Sequence, residues 1–177
     1  MTASQQPPLP EDARLGETAG EWRFAGRDQQ RDLCLSLARQ ARREVLIFTQ
    51  NLDPHSFNSL ELYEALKQLA LRRPDPALRI LLQDHEPVRR GGYRLLELAQ
   101  RLSSRVLIHR PHLQEHREHR ENFVLVDEVG YLYQPLYSRP EGSVSFHNPA
   151  RARQLGHFFN EVWQQSEQDS LLRRLAI

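Results

Sequence analysis

The chain is short of cysteine and of lysine. Cys34 is its single thiol, which excludes an internal disulfide and a cysteine-based zinc cluster. Its place in the apolar pattern of a helix predicts a buried thiol rather than a reactive one. Lys67 is the only lysine among 24 basic residues, so any mechanism that needs a lysine beside a second catalytic group has one position to draw on. No apolar run approaches the roughly 18 to 20 residues that cross a bilayer. The opening MTASQQPPLPEDARLGETAG lacks a basic region followed by an apolar one, so a cytoplasmic location without membrane contact is expected. No serine sits in a G-x-S-x-G elbow, and no internal repeat is found.

What is present fits one globular domain. A chain of 177 residues with 39 % hydrophobic and 27 % charged content can bury one substantial core. The net charge of +1 gives no global attraction to nucleic acid, although a local patch remains open. Residues 1–22, with Gln5, Gln6, Pro7, Pro8 and Pro10 and few apolar residues, read as a flexible tail. Residues 23–177 read as the domain.

Helical spacing of Leu33, Leu37, Ala38 and Ala41 predicts a first helix over residues 28–43. Val45–Thr49 predicts a buried strand, followed by a polar loop carrying Asn51, Asp53 and His55. Asn58 and Glu61 have capping-box spacing, and the helix they open is stopped by Pro74. Leu78–Leu82 predicts a second strand, Leu95–Leu102 a helix, and Val106–Ile108 a third strand. That order implies parallel pairing with right-handed crossovers. Phe123–Val126 and Val129–Tyr133 form a hairpin. Ser143–Phe146 suggests a last strand, and Asn148-Pro149 opens a final helix with the stripe Leu155, Phe158, Phe159, Val162 and Trp163.

Two segments invite chemistry. In Gln83–Arg94, the residues Arg89, Arg90, Gly91 and Gly92 precede a helix, where guanidiniums and backbone N–H groups suit a phosphate. The spacing partly resembles the acetyl-coenzyme A loop of N-acetyltransferases, with Arg94 in place of the last small residue; a solvated turn is the plain reading. The stretch His109–Tyr137 holds four of the eight histidines. Within it HLQEH, His112 to His116, matches the H-x-x-E-H pattern of inverted zinc peptidases, with His119 as a third imidazole. Leu113 is the only apolar residue between Pro111 and Glu121, so a helix there has little to bury. An exposed loop without metal is expected.

The order of elements and the closing motif resemble the phospholipase D superfamily, from about Glu44 to Ser166. FVLVD aligns with the end of the family's motif strand and places Asp127 on the family aspartate, and HNPARARQLGHFFNEVWQQS resembles the closing helix. More closely, the chain resembles a bacterial family of degenerate phospholipase D-like domains, some joined to N-acetyltransferase domains. The resemblance implies an α/β fold: a mixed sheet flanked by helices on both faces, as a single half-domain. It puts Arg120 where the family has histidine and Asn122 where it has lysine, while Gln134, Pro135, Leu136 and Tyr137 replace a Gly-Ser-x-Asn segment. In active members the histidine attacks phosphorus and the lysine holds the oxygens, so both roles are vacated here. His119 is one residue out of register, and strand alternation turns it to the opposite face.

The expectation is therefore a non-catalytic binding, adapter or regulatory domain without a cofactor. Its candidate ligand residues are Arg120, Asn122, Asp127 and His119, with Arg89, Arg90 and Gly92. Its partners are a second copy of itself and a phosphorylated ligand, nucleic acid or protein. An internal Arg120–Asp127 ion pair is the plain alternative to an anion site. The alternative class is an enzyme, either a phosphodiesterase using displaced histidines or an acetyltransferase-related protein.

Overall fold

The computed structural model describes residues 8–170 and Leu172. Its centre is β2, Val45–Thr49, all five residues of which are buried. A strand covered on both faces reads as an unbroken apolar run, as VLIFT does. β3, Leu78–Leu82, pairs with it in parallel, and β4, Val106–Pro111, pairs in parallel with β3. On the other side β5, Asn122–Val126, runs antiparallel to β2, and β6, Gly130–Gln134, antiparallel to β5. β7, Glu141–His147, and β1, Gly20–Ala25, extend that wing; β8, Ser166–Gln168, closes the far edge against β4. The eight-stranded order is β1-β7-β6-β5-β2-β3-β4-β8.

Alternation along β2 divides the core. Val45 and Ile47 face α1, Arg27–Gln40, α3, Leu60–Arg72, and α5, Arg94–Arg101, whose Leu37, Leu66 and Leu98 join Ile80, Ile108 and Val124. Leu46 and Phe48 face α7, Pro149–Gln164, where Leu155, Phe159 and Val162 meet Phe123 and Leu125. Helices thus flank both faces of the mixed sheet. Burial pushes the Cys34 thiol up to about 12, as expected for a core cysteine. No helix among the described residues is long and apolar enough to cross a membrane.

The parallel strands follow the sequence closely, and α7 starts as its cap directs, with Asn148 accepting from the N–H of Arg151 at 3.2 Å. Elsewhere the structure differs. Ser59, not Asn58, caps α3, because Ser59 has the extended backbone a cap needs and its hydroxyl accepts from Leu62 N–H. Three segments expected as loops contain single helical turns: α2, Pro54–Phe57, α4, Glu86–Arg89, and α6, Gln114–Arg117. Of the expected tail, residues 1–7 lie outside the described residues. The rest packs: Ala13 is buried, Gly16 N–H donates to the Phe146 carbonyl at 2.8 Å, and β1 buries Trp22 and Phe24.

Candidate functional site

In open α/β sheets ligands bind beyond the carboxyl ends of the parallel strands. At that edge Asn122, the first residue of β5, lies opposite Gln134, the last of β6. Asn122 Oδ1 accepts from Gln50 N–H at 2.9 Å, and Asn122 Nδ2 donates to Gln134 Oε1 at 3.3 Å. Gln30 Nε2 of α1 donates to the same oxygen at 3.3 Å. Gln134 Nε2 is spent on the carbonyls of Tyr137 and Arg139, at 3.1 and 2.6 Å. These amides floor a cavity of about 230 Å³ whose wall includes Arg27, Asn51, Asp53 and Tyr137. Arg27 and Asp53 pair at 2.8 Å. Amides bonded to one another can donate and accept, but none is a nucleophile or a proton carrier at ordinary pH.

Arg120 stands two residues before Asn122 and is exposed; its carbonyl accepts from Tyr137 N–H at 2.8 Å, which ties it to the cavity wall. Its guanidinium has no carboxylate within 4.0 Å among the described residues. Side-chain alternation holds along this strand. Val124 joins the α1 core while Phe123 and Leu125 join the α7 core, and Glu121 accepts from Tyr133 O–H at 2.7 Å on the α7 side. Burial, with Glu121 second, pushes the Tyr133 hydroxyl up to about 12.

Asp127 is not beside Arg120. It follows the last residue of β5, so at about 3.3 Å per residue roughly 16 Å separates it from Asn122. There its carboxylate accepts from the N–H groups of Arg42, Arg43 and Glu44 at 2.7, 2.8 and 2.9 Å. It fastens the α1–β2 connection to the β5–β6 turn, where Asp127 and Glu128 take φ of 51° and 58°. The expected grouping of Arg120, Asn122 and Asp127 therefore divides between two edges, and the Arg120–Asp127 pair does not form.

His119 lies on the α7 side, its ring 4.6 Å from that of Phe158 and 5.7 Å from that of Phe48. Gln83 Nε2 holds the carbonyls of His116 and His119 at 2.7 and 3.0 Å. His116 turns inward toward Phe158, whereas His112 precedes α6, is exposed, and has Glu167 at 3.6 Å. Because α6 is a single turn, His112 and His116 do not share a helix face. No group of three or more His, Cys, Asp or Glu able to hold a metal occurs among the described residues.

The Arg89–Gly92 loop is at the carboxyl edge, and part of it is engaged: Gly91 N–H donates to the Val88 carbonyl at 3.2 Å. Arg89 pairs with Glu86 at 2.7 Å. Asn58 clamps the loop, donating to the Gly92 carbonyl at 2.9 Å and accepting from Arg94 N–H at 2.8 Å, at the start of α5. Gly91 and Gly92 take φ of 88° and 81°, a left-handed geometry suited to glycine. Arg90 remains exposed. Sequence reasoning missed Gln30; its signal was a glutamine on the buried stripe that continues through Leu33 and Leu37.

A family model described as Domain of unknown function (DUF7931) matches residues 26–175. No curated protein matches the sequence. Among solved structures, Nuc from Salmonella typhimurium, a phospholipase D family member, is similar with TM-score 0.58 at 14% identity, over 84% of this chain and 98% of that one. NucT from Helicobacter pylori gives TM-score 0.58 at 11% identity, over 84% and 98%. TrmBL2, an archaeal chromatin protein reported to show a novel mode of DNA binding, gives 0.60 at 15% identity, over 84% of this chain and 53% of that one. At such identities the likeness shows the fold, which is phospholipase D-like.

Proposed function

Since this chain belongs to the family described as Domain of unknown function (DUF7931) and has a phospholipase D-like fold, we propose that it is a non-catalytic binding domain whose carboxyl-edge site holds a phosphate-bearing ligand. The observation that carries this reading is Arg120, exposed and without a carboxylate partner among the described residues, whose backbone carbonyl is held by Tyr137 on the wall of a cavity of mutually bonded amides. A planar guanidinium suits two phosphate oxygens. Among the described residues no His, Cys or Lys lines this cavity, which supports binding over cleavage there. Asn122 is held by Gln50 and Gln134, His119 faces the other side of the sheet, and Lys67 lies on α3 beside Glu64 at 3.8 Å. Nucleic acid is the first ligand to test, given what is reported of TrmBL2. A homodimer joining two such half-domains belongs to the same reading, and light scattering at micromolar concentration would show it.

The test is a titration of inorganic phosphate and short single-stranded oligonucleotides into wild type and Arg120→Ala. Loss of a charge-assisted hydrogen-bond pair of about 1.5–3 kcal/mol weakens binding by roughly 10- to 150-fold. Equal binding by both proteins removes Arg120 from the site. Phosphodiester turnover abolished by His119→Ala overturns the non-catalytic reading.

A further inference from the structure

The opposite edge of the sheet carries a second feature, independent of the Arg120 site. β2, β3 and β4 begin in register, Val45 beside Leu78 and Leu78 beside Val106. The helices that cover their shared face therefore end side by side. α1 ends at Gln40, α3 at Arg72 and α5 at Arg101, all beside the amino ends of those strands. Each end carries arginine: Arg39 and Arg42 at the first, Arg73 at the second, Arg101 and Arg105 at the third. Arg105 Nη1 reaches the carbonyls of Ala70 and Leu71, both at 3.4 Å, so the second and third ends touch. Arg43, Arg73 and Asp75 line one shallow cavity, so the first and second are neighbours too.

The carboxylates of this edge are mostly occupied. Glu44 pairs with Arg79 at 3.3 Å, Asp127 is taken by three backbone N–H groups, and Glu128 lies 3.9 Å from Arg43. Arg39, Arg42, Arg73 and Arg101 have no carboxylate within 4.0 Å among the described residues. The helix dipole accounts for one cation in each last turn. It does not account for Arg42 and Arg73, which lie past the last helical residues.

The geometry points to this row as a binding surface for the sugar-phosphate backbone of a nucleic-acid duplex. Packed helices lie about 8–10 Å apart, so three ends span roughly 20 Å, over which a duplex offers about one charge per 1.7 Å. Arginines carried on three adjacent helix ends suit a chain of phosphates, with Arg39 set back along α1 beside Leu35 and Ser36. A lipid surface would call for an apolar face beside the charges, and Leu71 is the large apolar residue exposed at these ends among the described residues. The row contacts phosphates and reads no sequence.

Fluorescence anisotropy with a labelled duplex of about 20 base pairs tests it. Four phosphate contacts give a salt slope of about −3.6, a fall in affinity of roughly 150-fold between 50 and 200 mM salt. Replacing Arg39, Arg42, Arg73 and Arg101 together by Gln abolishes that slope, whereas replacing the same four by Lys keeps it, and circular dichroism confirms that both fold. A control changing Arg14, Arg23, Arg31 and Arg153 to Gln removes the same charge elsewhere and leaves binding within about 3-fold, the slope share of one contact. The inference is overturned if wild type does not bind the duplex or if the control loses as much as the row variant. It is also overturned if vesicles of anionic lipid are bound in the duplex's place. Loss of duplex binding in Arg120→Ala, with the row variant unaffected, overturns the row and leaves the carboxyl-edge site standing.

Discussion

Replacing Asp127 separates structure from function at the position aligned with the phospholipase D aspartate. Its carboxylate is buried and receives three backbone N–H groups, Arg42 on Oδ2 and Arg43 and Glu44 on Oδ1. Asparagine keeps one carbonyl oxygen and tolerates the positive φ of 51°. It turns an amide NH₂ toward at least one N–H that loses its acceptor. One charge-assisted bond is worth about 1.5–3 kcal/mol, so Asp127→Asn costs roughly 2–3 kcal/mol. Asp127→Ala strands all three donors at a backbone angle alanine dislikes, and water reaching the half-buried connection limits the loss to about 4–5 kcal/mol. Against a total of about 5–15 kcal/mol these are large fractions. With a urea dependence of about 2 kcal/mol per molar, Asp127→Asn lowers the unfolding midpoint by roughly 1–1.5 M. The Arg120-dependent part of phosphate binding stays at the wild-type value in the folded variant, since Asp127 is at the other end of β5. An unchanged midpoint, or lost phosphate binding in a folded variant, would refute the assignment.

Two further expectations concern stability. Asn148→Ala removes the α7 cap and the 3.2 Å contact from Asn148 Nδ2 to the Tyr131 hydroxyl, costing about 1 kcal/mol and lowering the melting temperature by about 2–4 °C in a thermal scan. His109 stacks on Trp163 at 3.8 Å between centroids; burial first, then Arg79, lowers its pKa below the usual 6.5. The folded state thus favours neutral imidazole. Its contribution is complete above pH 6.5 and is lost as pH falls from 6.5 through the lower folded value, where the unfolded chain takes up the proton first. Urea midpoints between pH 7.5 and 5 fall less steeply for His109→Phe than for wild type, and parallel curves would show that His109 is not the group responsible.

Much of the fold was legible because packing and periodicity agree. VLIFT and LRILL are strands with the bounds their apolar runs suggest, and the Asn148-Pro149 start of α7 is a local signal that needs no distant partner. β1 was hidden by composition. Trp22 and Phe24 alternate as a strand should, but they follow a stretch whose prolines and glutamines resemble a solvated tail. β8 has three polar residues and no apolar pattern; backbone pairing with β4 makes it a strand. At the site, alternation correctly gave the side on which His119 lies but not the distance from Asn122 to Asp127, since a period of two fixes direction while each residue adds its own rise. The Gln30–Gln134 contact bridges 104 positions, so nothing local could reveal it.

Phosphorus NMR of a short single-stranded oligonucleotide mixed with the protein tests the central claim most directly, because one spectrum reports both contact and cleavage. With Arg39, Arg42, Arg73 and Arg101 already replaced by Gln, the account predicts broadened phosphodiester resonances when Arg120 is present, sharp ones when Arg120→Ala is added, and no phosphomonoester signal with either protein over hours of incubation. A growing phosphomonoester resonance, or equal line widths for the two proteins, would contradict it.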